Sequence, residues 1–244
     1  MKLTFIGTSH GVPAADRFCS SILLEVGEAV YLIDAGAPVA KELLRYGKTM
    51  QSLRAVFTTH AHGDHTAGVV QLADLINWYY SDCAVDFYIT EQPHIDAIRA
   101  MIITGGTPTI DDSRVRFHIP AEGRVYEDEH ILVDYIRTAH MGISYAILVT
   151  EVKTGHRVLF GGDFSQELRG RDVPVVIQEP IEAFVCEMAH FTLAHLAPYL
   201  AGCRAKNVIF THVFPLEKYA DIESVRTSYP FAVHTPADGD SFDV

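Results

Sequence analysis

Short apolar runs bounded by turn residues dominate the start of the chain, and they predict strands. Residues 2–8, 20–26 and 29–34 each read as a strand, the last two joined by a turn at Gly27-Glu28. A short helix is expected over 40–46. Residues 55–59 are mostly apolar, short enough for a buried strand, and run directly into a cluster of histidines. Beyond the cluster the period changes. Val69, Leu72, Ala73, Ile76 and Tyr80 recur at helical spacing, so a helix is expected over 66–80. Residues 84–89 read as a strand. Pro93 then opens a helix with Ile95, Ile98, Met101 and Ile102 on its apolar side, closed by Gly105-Gly106.

The second half repeats this logic. Residues 114–119, 131–137, 145–152 and 157–161 are strand-like, with a tight turn at Thr154-Gly155, and 183–188 is another buried-strand candidate. A helix follows over 193–202, where Pro198 would kink or shorten it. Residues 208–211 form a strand ending on His212, Pro215 opens a last helix, and a polar strand-and-turn tail closes the chain. Strands followed by strand–helix alternation, twice over, imply two sheets with helices outside, built from two similar halves. With neither linker nor low-complexity segment, residues 1–244 are expected to form one domain.

Composition narrows the function. The formal net charge is −12, which tilts against a large polyanion, because phosphate backbones select surfaces rich in Lys and Arg. Cys19, Cys83, Cys186 and Cys203 are widely spaced and read as small buried hydrophobes instead of a disulfide framework. The first residues enter strand pattern without a signal-peptide core, and no apolar run is long enough to span a bilayer. A cytoplasmic, membrane-free protein is the expectation.

The chemistry is concentrated in Thr59-His60-Ala61-His62-Gly63-Asp64-His65, where four potential ligands fall within six residues. Imidazole and carboxylate together suit zinc, iron or manganese, and the lack of thiolate disfavours a closed structural zinc site. A single histidine here would be unremarkable, but an HxHxDH string between a strand and a helix is not expected by chance.

That string resembles the signature of the metallo-β-lactamase superfamily. The resemblance extends over essentially the whole chain, including Leu32-Ile33-Asp34-Ala35-Gly36, Thr138-Ala139-His140, Gly161-Gly162-Asp163, Phe210-Thr211-His212 and the closing Ala237-Asp238-Gly239. It implies an α/β (α+β) four-layer αβ/βα sandwich of two mixed β-sheets with helices on the outer faces. It also implies two divalent metal ions, zinc first, with manganese or iron as alternatives. His60, His62 and His140 would hold one, Asp64, His65 and His212 the other, and Asp163 would bridge them. A carboxylate can bridge with its two oxygens, whereas an imidazole cannot. Aspartate at 163 departs from the secreted β-lactamases, which carry cysteine there, so antibiotic hydrolysis is not expected.

Within the superfamily, Gly7-Thr8-Ser9-His10-Gly11-Val12-Pro13 resembles the opening of the ribonuclease Z and cyclic-phosphodiesterase branch. His190-Phe191-Thr192, 22 residues before His212, resembles that branch's HxT motif, whose histidine contacts phosphate and assists the leaving group. Asp64 and His190 are therefore the residues expected to take part in the chemistry. Glu187 reads equally as an outer carboxylate orienting a site histidine and as a solvated one. His10 and His195 are weaker candidates left unassigned, and His94, His118, His130, His156 and His234 receive no role. The basic arm with which ribonuclease Z grips transfer RNA is not visible, nor is the N-terminal cysteine cluster of the phosphonate-pathway phosphodiesterase.

The expected function is a phosphodiesterase acting on a small or cyclic phosphodiester, through a metal-bound hydroxide, with long nucleic acid disfavoured as partner and homodimerisation left open. The alternative is a thioester or lactone hydrolase of the glyoxalase II or lactonase kind, using the same metals without a phosphate-facing histidine. A non-catalytic binding protein on this scaffold ranks third, since such proteins commonly lose ligands.

Overall fold

Two seven-stranded sheets face one another among the described residues, 1–169 and 172–244, of the computed structural model. The first contains, in order, β14 (Ser241–Asp243), β1 (Lys2–Gly7), β2 (Ser21–Val26), β3 (Ala29–Ile33), β4 (Leu53–Phe57), β5 (Val85–Tyr88) and β6 (Val115–His118). The second contains β13 (Ala232–His234), β12 (Ala205–Val213), β11 (Ile181–Met188), β10 (Arg157–Phe160), β9 (Tyr145–Glu151), β8 (Ile131–Arg137) and β7 (Gly123–Glu127). Both sheets are mixed. Strands β1 to β3 pair antiparallel and β3 to β6 parallel, while β7 to β10 pair antiparallel and β10 to β13 parallel.

Three apolar layers hold the sandwich together. Phe5, Tyr31, Phe57, Tyr135, Ile147 and Val185 fill the space between the sheets. Helices α1 (Val39–Arg45), α2 (Gly63–Tyr79) and α3 (Gln92–Thr104) bury Leu43, Leu72, Ile76 and Ile98 against the outside of the first sheet. Helices α4 (Leu193–Leu200) and α5 (Lys218–Ser224) bury Leu196, Leu200 and Ile222 against the second. Burial on both faces explains why β3 is apolar throughout. Strand β8 alternates buried and half-buried positions because its outer face is less covered. The two halves are as expected, except that β14 returns from the C-terminus to close the first sheet.

Several sequence expectations are corrected. Helix α2 begins at Gly63, not 66, so Asp64 and His65 lie in its first turn instead of in a preceding loop. Met101 is 60% exposed, because α3 buries Ile95, Ile98 and Ile102 and leaves Met101 beside that stripe. The last helix starts at Lys218, three residues beyond Pro215, and β12 continues through His212 to Val213. Strands β7 and β13 were not expected; both are short edge strands with weak apolar alternation. No described helix is long and apolar enough to cross a membrane. All four cysteines are free thiols, three of them buried.

Topology decides where the polar residues go. Strands β8 and β10 both run antiparallel to β9, so they point the same way as β11 and β12. The ends of these four strands carry His140, Asp163, His190 and His212 to one edge of the sandwich, where the turn after β4 brings in His60 and His62. Polar side chains at strand carboxyl ends, outside the apolar layers, form the usual place for a site.

Candidate metal centre

The turn after β4 is built from the inside by Asp34. Asp34 follows β3 in the left-handed region (φ 57°), unusual for a residue other than glycine. Its carboxylate accepts the Thr59 N–H at 2.8 Å and faces His65 Nδ1 at 2.7 Å. Behind it, the Ala35 N–H donates to the His65 carbonyl at 2.7 Å, and the Gly68 N–H to the Ala35 carbonyl at 2.7 Å. Gly36 is required by this closeness, since a Cβ there would lie 1.8 Å from the Asp64 carbonyl oxygen. Gly36→Ala is therefore expected to cost at least about 1–3 kcal/mol through overpacking against backbone. Denaturant unfolding measures it, and a loss below half a kcal/mol, on the order of a neutral surface change, would contradict this account of the turn.

Around this turn the expected ligands converge in two groups. His60, His62, His140 and Asp163 present one ligand atom each, all within 4.8 Å of one another, and Asp64, His65 and His212 do the same. Asp163 sits between the groups. Its Oδ1 lies 3.4 Å from His65 Nε2, and its Oδ2 lies 3.4 Å from His212 Nε2, 3.8 Å from His60 Nε2 and 3.9 Å from His140 Nε2. Asp64 Oδ2 lies 3.7 Å from His65 Nε2 and 3.8 Å from His212 Nε2. The backbone of His212 itself is left-handed (φ 52°) where β12 turns its ring inward.

Most of these rings are anchored through the nitrogen that faces away from the centre. His60 Nδ1 contacts Thr59 Oγ1 at 3.0 Å, His140 Nδ1 the Phe164 carbonyl at 3.0 Å, and His212 Nδ1 Ser20 Oγ at 3.0 Å. The remaining nitrogen is then aimed at the centre. The Nε2 atoms of His60, His65 and His212 are buried without a hydrogen-bond partner among the described residues. Buried polar atoms are nearly always satisfied, so three orphans converging on a carboxylate fit a divalent cation. Outer partners that orient a ring in this way are characteristic of metal-binding histidines.

Electrostatics agree. Burial pushes the His60 imidazole well below its ordinary value, favouring the neutral form that binds metal. Burial acts the same way on His65, but Asp163, Asp34 and Asp64 outweigh it and raise that imidazole to about 10. Burial would raise the Asp163 carboxyl, yet His212 and His65 hold it well below the ordinary carboxylate range. Carboxylates that favour a proton on His65 favour a metal ion in its place, with release of that proton on binding.

Glu187 is buried, 2% exposed, which removes the solvated reading. Its Oε1 accepts the Phe164 N–H at 2.8 Å and lies 2.8 Å from His190 Nδ1, while Oε2 accepts the Ala189 and His190 N–H groups at 2.8 and 3.1 Å. Asp163, Glu187 and His190 also bring ligand atoms within 4.8 Å of one another, but both Glu187 oxygens are taken up by these contacts, an arrangement that orients His190. Burial lowers the His190 imidazole, but the hydrogen bond and charge of Glu187 overcome this and raise it. The ring of His190 lies 4.8 Å from that of His140.

The centre opens into a cleft of about 610 Å³ lined by His10, His62, His140, Met141, His190 and Phe214, among others. His10, left unassigned on sequence, is thus brought to the site by the first loop. His195 is not; it lies in the first turn of α4, where its Nδ1 accepts the Thr192 N–H at 3.3 Å. The other five histidines stay outside the two ligand groups, His118 for example facing Asp86 on the first sheet.

Comparison with known proteins bears on the family and the fold. A family model described as Anti-Pycsar protein Apyc1 matches residues 1–213. A ribonuclease Z of Shouchella clausii is 31% identical over 156 residues, 62% of this chain and 48% of that relative, so the chain spans about half the relative's length. Human tRNase Z, short form (ELAC1), superposes with a TM-score of 0.78 at 20% identity, covering 100% of this chain and 99% of that one. YhfI from Bacillus subtilis, a metallo-β-lactamase fold protein, superposes at 0.77 and 19% identity, covering 99% and 98%. The fold is that of the metallo-β-lactamases.

Proposed function

Starting from the Anti-Pycsar protein Apyc1 family, to which this chain belongs, we propose a metal-dependent hydrolase that cleaves small or cyclic phosphodiesters. His60, His62 and His140 would hold one divalent ion, Asp64, His65 and His212 a second, and Asp163 both. Bound there, such a pair supplies Lewis acidity toward phosphoryl oxygens and toward water. The protein's own contribution is orientation. Thr59, Ser20, Asp34 and the Phe164 carbonyl fix the imidazoles before any substrate arrives.

The observation that carries the phosphodiester reading is the Glu187–His190 pair beside the centre. Glu187 takes up His190 Nδ1 at 2.8 Å, which leaves Nε2 as the nitrogen free to move a proton in the cleft. An imidazole whose protonated form is favoured by the Glu187 carboxylate can protonate a departing alkoxide, help that a departing thiolate does not need. The cleft lining of imidazoles, Met141 and Phe214 suits a small ligand. A long polyanion would instead select a Lys/Arg-rich surface, and this chain carries a net charge of −12.

The test is a parallel hydrolysis screen of the metal-loaded protein. Its substrates are bis-p-nitrophenyl phosphate, cyclic nucleotides, lactones, S-lactoylglutathione and a precursor transfer RNA. The small diesters are expected to be cleaved fastest. Faster cleavage of the thioester or lactone would overturn the phosphodiester reading. Processing of the RNA at a rate comparable to the best small diester would overturn the small-substrate reading.

A further inference from the structure

The loop between β1 and β2 is fastened at its base. Asp238 Oδ1 accepts the Thr8 N–H at 3.0 Å and the Thr8 hydroxyl at 2.8 Å, and Asp238 Oδ2 accepts the Phe18 N–H at 2.6 Å. Arg17 donates to Thr8 Oγ1 at 2.8 Å and to the Pro236 carbonyl at 2.9 Å. The Thr8 carbonyl in turn accepts the N–H of His212 at 3.0 Å, which ties the loop to the centre.

At the tip, the imidazole of His10 is held on two sides. It stacks on Phe214 with ring centroids 4.6 Å apart and planes 14° from parallel, and it meets the His212 ring edge-on at 4.9 Å. Its Nδ1 accepts the Val12 N–H at 3.1 Å. A nitrogen that accepts carries no hydrogen, so the neutral ring has its proton on Nε2. Nε2 has no protein partner among the described residues, is not sealed from solvent, and belongs to a ring that lines the cleft.

The two cleft imidazoles are neighbours at the mouth of the centre, with ring centroids 6.1 Å apart. His190 adjoins His140 of one ligand group at 4.8 Å and reaches His212 of the other at 6.3 Å, while His10 adjoins His212 at 4.9 Å. Both rings line the cleft, so a tetrahedral oxyanion at the centre would have both within reach.

We propose that His10 is a second substrate-binding imidazole beside His190, donating its Nε2–H to a non-bridging oxygen of the phosphoryl group. This rests on the phosphodiester reading of the site. The role is positioning: a fixed neutral donor binds the ground state and transition state alike, so its loss raises KM more than it lowers kcat.

Two variants separate the donor from the stack. His10→Phe keeps a ring against Phe214 and removes the donor, while His10→Gln keeps an N–H within comparable reach. Metal content and thermal unfolding of each are compared with wild type. Inorganic phosphate binding to the metal-loaded proteins is measured by calorimetry, alongside kcat and KM on bis-p-nitrophenyl phosphate. His10→Phe is expected to bind phosphate about 10- to 100-fold more weakly, the cost of one hydrogen bond to a charged group. KM should rise to match, while both metals are retained. His10→Gln should recover most of the loss. Unchanged phosphate affinity and KM in His10→Phe would overturn the proposal and leave His10 a packing residue. A wild-type protein that cleaves thioesters or lactones but no diester would instead overturn the underlying reading.

Discussion

Asp163→Ala is expected to lower metal content from two ions per chain to at most one, and diester hydrolysis by more than about 100-fold. That exceeds the 10- to 100-fold expected for losing an outer-shell partner. Among the described residues Asp163 stands between both ligand groups, with Oδ1 near His65 and Oδ2 near His212 of one group and near His60 and His140 of the other. Without it the imidazoles remain, but the central negative charge that would offset two cations is gone. Asp163→Asn keeps the shape and removes the charge, so a similar loss in both variants would assign the effect to charge. Elemental analysis and steady-state kinetics on the same preparations check this. Two tightly held ions in Asp163→Ala would contradict the bridging role.

His190→Ala is expected to keep both metals and to lose about 10²–10⁴-fold in kcat on a diester with a poor alkoxide leaving group. The loss should shrink for p-nitrophenolate, a weak base that departs without a proton. This dependence distinguishes acid catalysis from phosphate positioning, which would affect good and poor leaving groups equally. Glu187 is tied to the same result, because its carboxylate holds the His190 ring and accepts the N–H groups that shape the turn. Kinetics on a paired set of diesters, with metal content measured in parallel, decide it. No loss on any diester would remove His190 from the mechanism.

Most of the candidate centre was legible because its signal is local. His60, His62, Asp64 and His65 lie within one short string, and His140, Asp163 and His212 follow or end recognisable strands. What escaped depends on long-range contacts. Whether Glu187 was solvated could not be read, because its environment is set by the N–H of Phe164 packed against it from 23 residues away. His10 lacked a role because the ring that holds it, Phe214, comes from the far end of the chain. The start of α2 was misplaced because Gly63 and Asp64 read as loop, while His62 gives no side-chain cap to mark the boundary. Strands β7 and β13 escaped because edge strands are only partly buried and need little apolar alternation. The two-sheet sandwich survived these errors because β1 to β4 and β8 to β12 carry the apolar runs that build all three layers.

The central claim, a paired metal centre, is tested most directly by metal stoichiometry. Protein purified without chelator is reconstituted with Zn²⁺ or Mn²⁺, dialysed to remove loosely bound ions, and submitted to elemental analysis. The account expects two ions per chain, because the seven proposed ligands, in two groups about Asp163, would be satisfied together by a pair of cations. About one equivalent or fewer retained after reconstitution would contradict it.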